Sequence, residues 1–422
     1  MRAVVLIDGE HYAPVVRDAI ASVPHEVAAA VLVGGTEKLR GDGDYGVPLA
    51  ADLEAAFAEH APELVYDLSD EPVLGPRERF RWASRVLAHG LPYEGADFRF
   101  DPPAREPFEL PSLAIVGTGK RVGKTALAGY AARLLAEDRE VVVVAMGRGG
   151  PPDPEVCELQ PTVEDLLELS RAGRHAASDY LEDAVLAGVV TIGCRRCGGG
   201  FAGAPVVSNV SEGARLAAER APDLVVFEGS GAALPPIETR RTILVAPAQE
   251  PPEVVAGFLN AYRILLADLV VLTMAEEGTG VDAMRRAITD VKQVPVVATV
   301  LRPRPVADVD GRRVAFFSTA PEAALPRLAR HLESEHGADV VHASGNLARR
   351  EELRSELEQV DAEVFVVEIK AAAIDVVAEA ASERDVEVVF CDNAVLALPG
   401  ELDLDAELRA LADAAVAEPT VA

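Results

Sequence analysis

The stretch that most constrains this chain is Gly117-Thr118-Gly119-Lys120-Arg121-Val122-Gly123-Lys124-Thr125. It follows the apolar run Leu113 to Val116 and precedes the helical pattern Ala126 to Glu137, which predicts a strand, a tight loop and a helix in succession. Glycines let backbone N–H groups converge on phosphate oxygens, and the helix N-terminus adds positive potential. Lys124 is placed to reach β- and γ-phosphates, and Thr125 offers a hydroxyl to Mg²⁺. A nucleoside triphosphate is the expected ligand, gripped by Gly117 through Thr125. The departure from the usual pattern is Thr118, which stands six before Lys124 where a glycine is normal.

Further apolar runs bounded by turn signals follow: Val141 to Ala145, Leu224 to Phe227, Thr242 to Ala246, Leu269 to Thr273 and Val296 to Val300. Unbroken apolar strands of this kind belong to a parallel sheet covered on both faces. The expected fold class is α/β: a P-loop NTPase domain with a mostly parallel sheet over residues 108–338, carrying an insertion over 148–205. A small α/β N-terminal domain over 1–107 precedes it, with strands Ala3 to Ile7, Val27 to Val33 and Leu64 to Asp67. A C-terminal α/β extension over 339–422 follows, including a helix over Ala371 to Arg384. The proline-rich Asp101-Pro102-Pro103 marks the first boundary.

Charge narrows the partners. A formal net charge of −29 opposes contact with nucleic acid or an anionic membrane, since either needs a basic surface. No apolar run is long enough for a membrane-spanning helix, and the first residues read as a strand rather than a leader, so a cytoplasmic protein is expected. Four cysteines are too few for a disulfide framework in 422 residues.

In an acidic chain, cations grouped with glycines point to an anionic substrate, because guanidinium binds phosphate bidentately and glycine lets the backbone approach. Three groups qualify: Arg148 in Met146-Gly147-Arg148-Gly149-Gly150, Arg195 and Arg196 in the loop Gly193 to Gly200, and Arg240 with Arg241. The run Leu224 to Phe227 delivers Glu228 to Gly229-Ser230-Gly231, the place of a metal-side acid, so Thr125 and Glu228 are the expected Mg²⁺ ligands. Lys124, Glu228 and Arg148 are the expected catalytic set. His11, after the first strand, is a candidate substrate contact from the N-terminal domain, although an N-cap and turn explain Asp8-Gly9 equally well. No asparagine is followed by lysine, so the Asn-Lys-x-Asp signature of guanine recognition is missing and ATP is expected, with Arg302 and Pro303 walling the base. The Cys194-Arg195-Arg196-Cys197 string lacks the second pair that a zinc site needs.

Gly117-Thr118 with Val122 through Thr125, taken with Phe227 to Gly231, resembles the P-loop domain of dethiobiotin synthetases. The wider set resembles the cyclic 2,3-diphosphoglycerate synthetase family across nearly the whole chain: Leu6-Ile7-Asp8-Gly9-Glu10-His11-Tyr12, Met146 to Pro151, Cys194 to Gly200, and Lys370-Ala371-Ala372-Ala373. That resemblance implies an ATP-dependent ligase, requiring Mg²⁺, that closes an intramolecular phosphoanhydride in 2,3-diphosphoglycerate; it also implies a homodimer. Dethiobiotin synthetases take a further metal-ligating aspartate from the loop after the second strand, where this chain reads Ala145-Met146-Gly147-Arg148. Asp153 and Glu155 lie close enough in sequence to substitute. Two other readings stand beside this one: another P-loop ligase or kinase of a polyanionic acid, and a regulatory or metal-delivery NTPase.

Overall fold

The computed structural model describes residues 1–35, 37–39, 43–370 and 372–418; Ala371 lies outside the described residues. Residues up to 100 build a sheet of their own in the order Leu49–Ala50, Glu26–Leu32, Arg2–Ile7, Leu64–Asp67, Tyr93–Glu94, Arg99–Phe100, parallel except for the last pair. Its helix Pro76–Ala88 lies against the helix Asn260–Leu266, where Phe80 and Phe258 meet edge to face at 5.6 Å and Ser84 Oγ donates to the Phe258 carbonyl.

The second sheet carries the P-loop. Its described strands run in the order Val207–Ser208, Val190–Cys197, Val141–Gly147, Leu224–Glu228, Ser112–Gly117, Arg241–Pro247, Leu269–Thr273, Val296–Pro305. Strands Val190–Cys197 through Val296–Pro305 are parallel. Val141 to Gly147 is buried along its whole length, as expected of a strand covered on both faces. One face packs on the helix Lys124–Leu135 and the C-terminal helix Leu404–Ala417, the other on the helix Val210–Glu219.

The C-terminal segment continues the same sheet. Val296–Pro305 pairs antiparallel with Glu387–Ala397, and Val364–Glu368, Arg313–Phe317 and Asp339–Ser344 follow in parallel order. Arg313–Phe317 belongs with this group, and the antiparallel step into it lies between Val296–Pro305 and Glu387–Ala397. The helix expected over 371–384 resolves into a π-helical stretch Ala373–Ala378 followed by the α-helix Glu379–Arg384.

Candidate active site

The strand Ser112–Gly117 ends in the phosphate loop, and the helix Lys124–Leu135 starts from Gly123 at φ 90°. Gly117 has no room for a side chain: a Cβ there would stand 2.8 Å from Val122 Cγ2 and 2.9 Å from Lys124 Cδ. Two threonines fix the loop to neighbouring strands. Thr118 N donates to the Val245 carbonyl at 3.1 Å, and Thr273 Oγ1 donates to the Val122 carbonyl at 2.6 Å. Lys124 is buried, and its ammonium donates to the Gly119 carbonyl at 2.8 Å, so the loop arches over it. Burial lowers its pKa, and the positive Arg196 and Arg148 lower it further, against the pull of Glu228 and Asp179.

Glu228 closes the strand Leu224–Glu228, which lies between the P-loop strand and Val141–Gly147. Thr125 Oγ1 donates to Glu228 Oε1 at 2.8 Å, so the two residues expected at the metal touch. Three carboxylates crowd here, and two were not expected. Asp179 and Asp183 come from the helix Asp179–Ala187, one turn apart and therefore on one face. Burial is the main reason the Glu228 pKa is pushed up to about 7, and the charge of Asp179 adds to it; Thr125 and Lys124 pull the other way. Asp183 is pushed well above the ordinary carboxylate range by burial and then by Glu228. Its residue is 1% exposed, and apart from the Glu228 carboxyl, within hydrogen-bonding reach, neither of its oxygens has a partner among the described residues. Among the described residues no three His, Cys, Asp or Glu side chains form a self-sufficient metal cage. The arrangement suits Mg²⁺, which takes one or two carboxylates and completes its octahedron with water and nucleotide phosphates.

The arginines separate into groups that the sequence does not distinguish. Arg148 and Arg196 converge: a Cβ on Gly231, itself at φ 61°, would lie 3.2 Å from Arg148 Nη2 and 3.1 Å from Arg196 Nη2. Arg196 donates to the carbonyls of Gly198 at 2.7 Å and Ser230 at 2.8 Å, while its buried Nε has no acceptor. Burial lowers the Arg196 pKa, and the charge of Arg148 lowers it further. Two guanidiniums held side by side make a receptor for an anion.

Arg195 and Arg196 were expected together in a loop. They instead end the strand Val190–Cys197, whose alternation sends them to opposite faces: Arg196 is buried and Arg195 is exposed, beside Gly147 in register. The same alternation separates Cys194, buried, from exposed Cys197, which does not favour a metal held by this pair.

Arg240 and Arg241 do not join the site. Arg241 pairs with Leu113, at the start of the P-loop strand, so both residues lie at the opposite edge of the sheet from the loop. Arg240 donates to the carbonyls of Ala415 at 2.8 Å and Glu418 at 2.6 Å, and Arg241 pairs with the Glu418 carboxylate at 2.5 Å. They fasten the C-terminal helix.

Arg302 is held by Glu276 in a two-pronged pair at 2.8 and 3.1 Å, and Pro303 is buried within its strand, so neither presents a free surface to a base. Leu301 does approach the loop: its Cδ1 lies 3.3 Å from where a Cβ on Gly123 would be. His11 lies in a turn closed by Asp8, whose Oδ1 accepts from the backbone of Glu10 and His11 and sits 2.8 Å from His11 Nδ1. That is the turn the local sequence describes, without a contact to the P-loop. Glu155 is occupied by Arg174 at 2.6 Å and Tyr180 Oη at 2.8 Å.

Three models of one family cover the chain: the N-terminal domain of cyclic 2,3-diphosphoglycerate synthetase over residues 2–101, its P-loop domain over 112–302 and its C-terminal domain over 305–394. This chain belongs to the cyclic 2,3-diphosphoglycerate synthetase family. The cyclic 2,3-diphosphoglycerate synthetase of Rubrobacter xylanophilus is 51% identical over 98% of this chain and 98% of its own length. That of Methanothermus fervidus is 41% identical over 93% of this chain and 92% of its own. Among solved structures, the "apo" form of LpxK from Aquifex aeolicus in complex with ATP aligns at a TM-score of 0.43 and 12% identity, over 79% of this chain and 95% of that one. Membership bears out the expected α/β P-loop fold and the expected ATP-dependent synthetase. Within the described residues no helix is long and apolar enough to cross a membrane.

Proposed function

We propose that the enzyme converts 2,3-diphosphoglycerate and ATP to cyclic 2,3-diphosphoglycerate, ADP and phosphate at the C-terminal edge of the P-loop sheet. ATP lies along Gly117 to Thr125, and the substrate lies against Arg148 and Arg196. The observation that carries this is the convergence of Arg148 and Arg196 on Gly231, within electrostatic reach of Lys124. The substrate carries about five negative charges near neutral pH. A chain with a net charge of −29 has to hold such a molecule by local cations rather than by its overall field.

Closure takes two displacements. An oxygen of one substrate phosphate attacks the γ-phosphorus, forming a P–O bond as the bond to ADP breaks. An oxygen of the second substrate phosphate then attacks the phosphorus of the first, and inorganic phosphate leaves as the ring closes. Lys124 neutralises charge on the transferring group, and Arg148 and Arg196 hold the two substrate phosphates close enough to react. Arg195, exposed at the same edge, extends the cationic rim. Thr125 and Glu228 would hold Mg²⁺, which when bound offsets charge on the triphosphate; their contact, with the charge of Asp179 acting on Glu228, fits such an ion. We further infer a homodimer working in the cytoplasm, which sizing by light scattering and cell fractionation test.

The direct test is phosphorus NMR of the purified enzyme with ATP, Mg²⁺ and 2,3-diphosphoglycerate. A cyclic phosphoanhydride resonance appearing in step with ADP supports the reading. ATP hydrolysis that ignores the substrate, or phosphorylation without ring closure, overturns it and favours another ligase or kinase.

A further inference from the structure

The second strand of the P-loop sheet, Val141–Gly147, runs two residues past Ala145, the register partner of Glu228, and ends in a glycine, yet the space above that end is filled. A Cβ built on Gly147 would stand 3.1 Å from Asp179 Oδ2 and 3.4 Å from its Cγ. The carboxylate that the strand does not supply is thus delivered by the helix Asp179–Ala187, and the bare glycine is what leaves room for it.

Three observations give that carboxylate a role. Lys370, Lys124, His175 and Arg148 all act on Asp179, and Asp179 in turn acts on Glu228, so it lies within electrostatic reach of the phosphate loop. Thr125, already bonded to Glu228, stands at the start of the same loop helix. Behind Glu228, within hydrogen-bonding reach of it, is Asp183, 1% exposed. Like charges held out of water are costly, and Asp179 acts on Glu228 beside the Thr125 hydroxyl of the phosphate loop. Lys124 does not relieve them by a hydrogen bond, because its ammonium is turned to the Gly119 carbonyl. A hard divalent cation, which prefers oxygen ligands, does.

We propose that Asp179 is the third protein ligand of the divalent cation that accompanies the nucleotide, beside Thr125 and Glu228, with Asp183 positioning Glu228 from behind. This rests on the nucleotide reading of the loop. It replaces the nearer candidate Glu155, which Arg174 and Tyr180 already hold.

The test uses Mn²⁺ as the probe, in the presence of ADP, followed by the loss of the free-ion EPR signal. ADP affinity in chelator is measured separately by calorimetry. Asp179→Asn should weaken Mn²⁺ binding to the ADP complex at least tenfold while ADP affinity in chelator stays within about twofold. Glu155→Gln should leave both unchanged. Asp179→Ser, which keeps a helix-starting side chain, guards against misfolding of the first variant and should show the same loss. Wild-type Mn²⁺ affinity in either folded Asp179 variant overturns the proposal and leaves the nucleotide reading intact. A wild-type enzyme that takes up neither ADP nor Mn²⁺ overturns both.

Discussion

The two edges of the P-loop sheet each carry a cluster of arginines, and the clusters have opposite fates. At the C-terminal edge, Arg148 and Arg196 face each other across Gly231 with a buried donor unused. At the N-terminal edge, Arg240 and Arg241 are consumed by carbonyls and a carboxylate of the C-terminal helix. The residues are chemically the same; the sheet edge and the neighbouring charges decide which pair is left for a ligand. Both edges supply carbonyls, but Arg196 also lies beside a second guanidinium, whereas Arg240 and Arg241 close on the C-terminal helix and the Glu418 carboxylate.

Substitutions can break this contrast, beginning with the residue that the receptor edge serves. Lys124→Ala should lower kcat about a thousandfold with the fold retained, since a preorganised cation on a transferring phosphoryl group is removed; steady-state kinetics beside a thermal melt check this. Arg196→Ala should raise the KM for 2,3-diphosphoglycerate about 10- to 100-fold, the loss of a charged hydrogen-bond donor worth about 1.5–3 kcal/mol, with a smaller change for ATP. Arg240→Ala should do the reverse. It should cost about 1–3 kcal/mol of stability by denaturant unfolding, because buried carbonyls of the C-terminal helix lose their donor, and leave the substrate KM alone. Arg195→Ala should be the mildest, raising KM about two- to fivefold, because its side chain is exposed and screened.

Much of the receptor edge was legible from local pattern. An apolar run followed by Gly117 to Thr125 can form little other than a strand, loop and helix, and an apolar run ending at Glu228 necessarily brings that acid to the same edge. What stayed hidden depends on long-range pairing. Gly193 to Cys197 reads as a glycine-rich loop until Val190–Cys197 is seen paired with Val141–Gly147, and only that pairing splits Arg195 from Arg196. Arg240 and Arg241 look like loop cations because direction along a strand, not composition, decides the edge. Asp179 and Asp183 share a helix face by their spacing, a signal present in the sequence, but acids at such spacing usually face water; burial against Glu228 is a tertiary fact. Even Thr118 has a physical place: its N–H ties the loop to the strand Arg241–Pro247.

The central claim is that the substrate polyanion seats at the edge holding Arg148 and Arg196 and nowhere near Arg240 and Arg241. Calorimetric titration of 2,3-diphosphoglycerate into the wild type, Arg196→Ala and Arg240→Ala tests it most directly. The account predicts wild-type affinity in Arg240→Ala and a 10- to 100-fold loss in Arg196→Ala, about 1.4–2.7 kcal/mol. Equal affinity in all three, or a loss confined to Arg240→Ala, would contradict it.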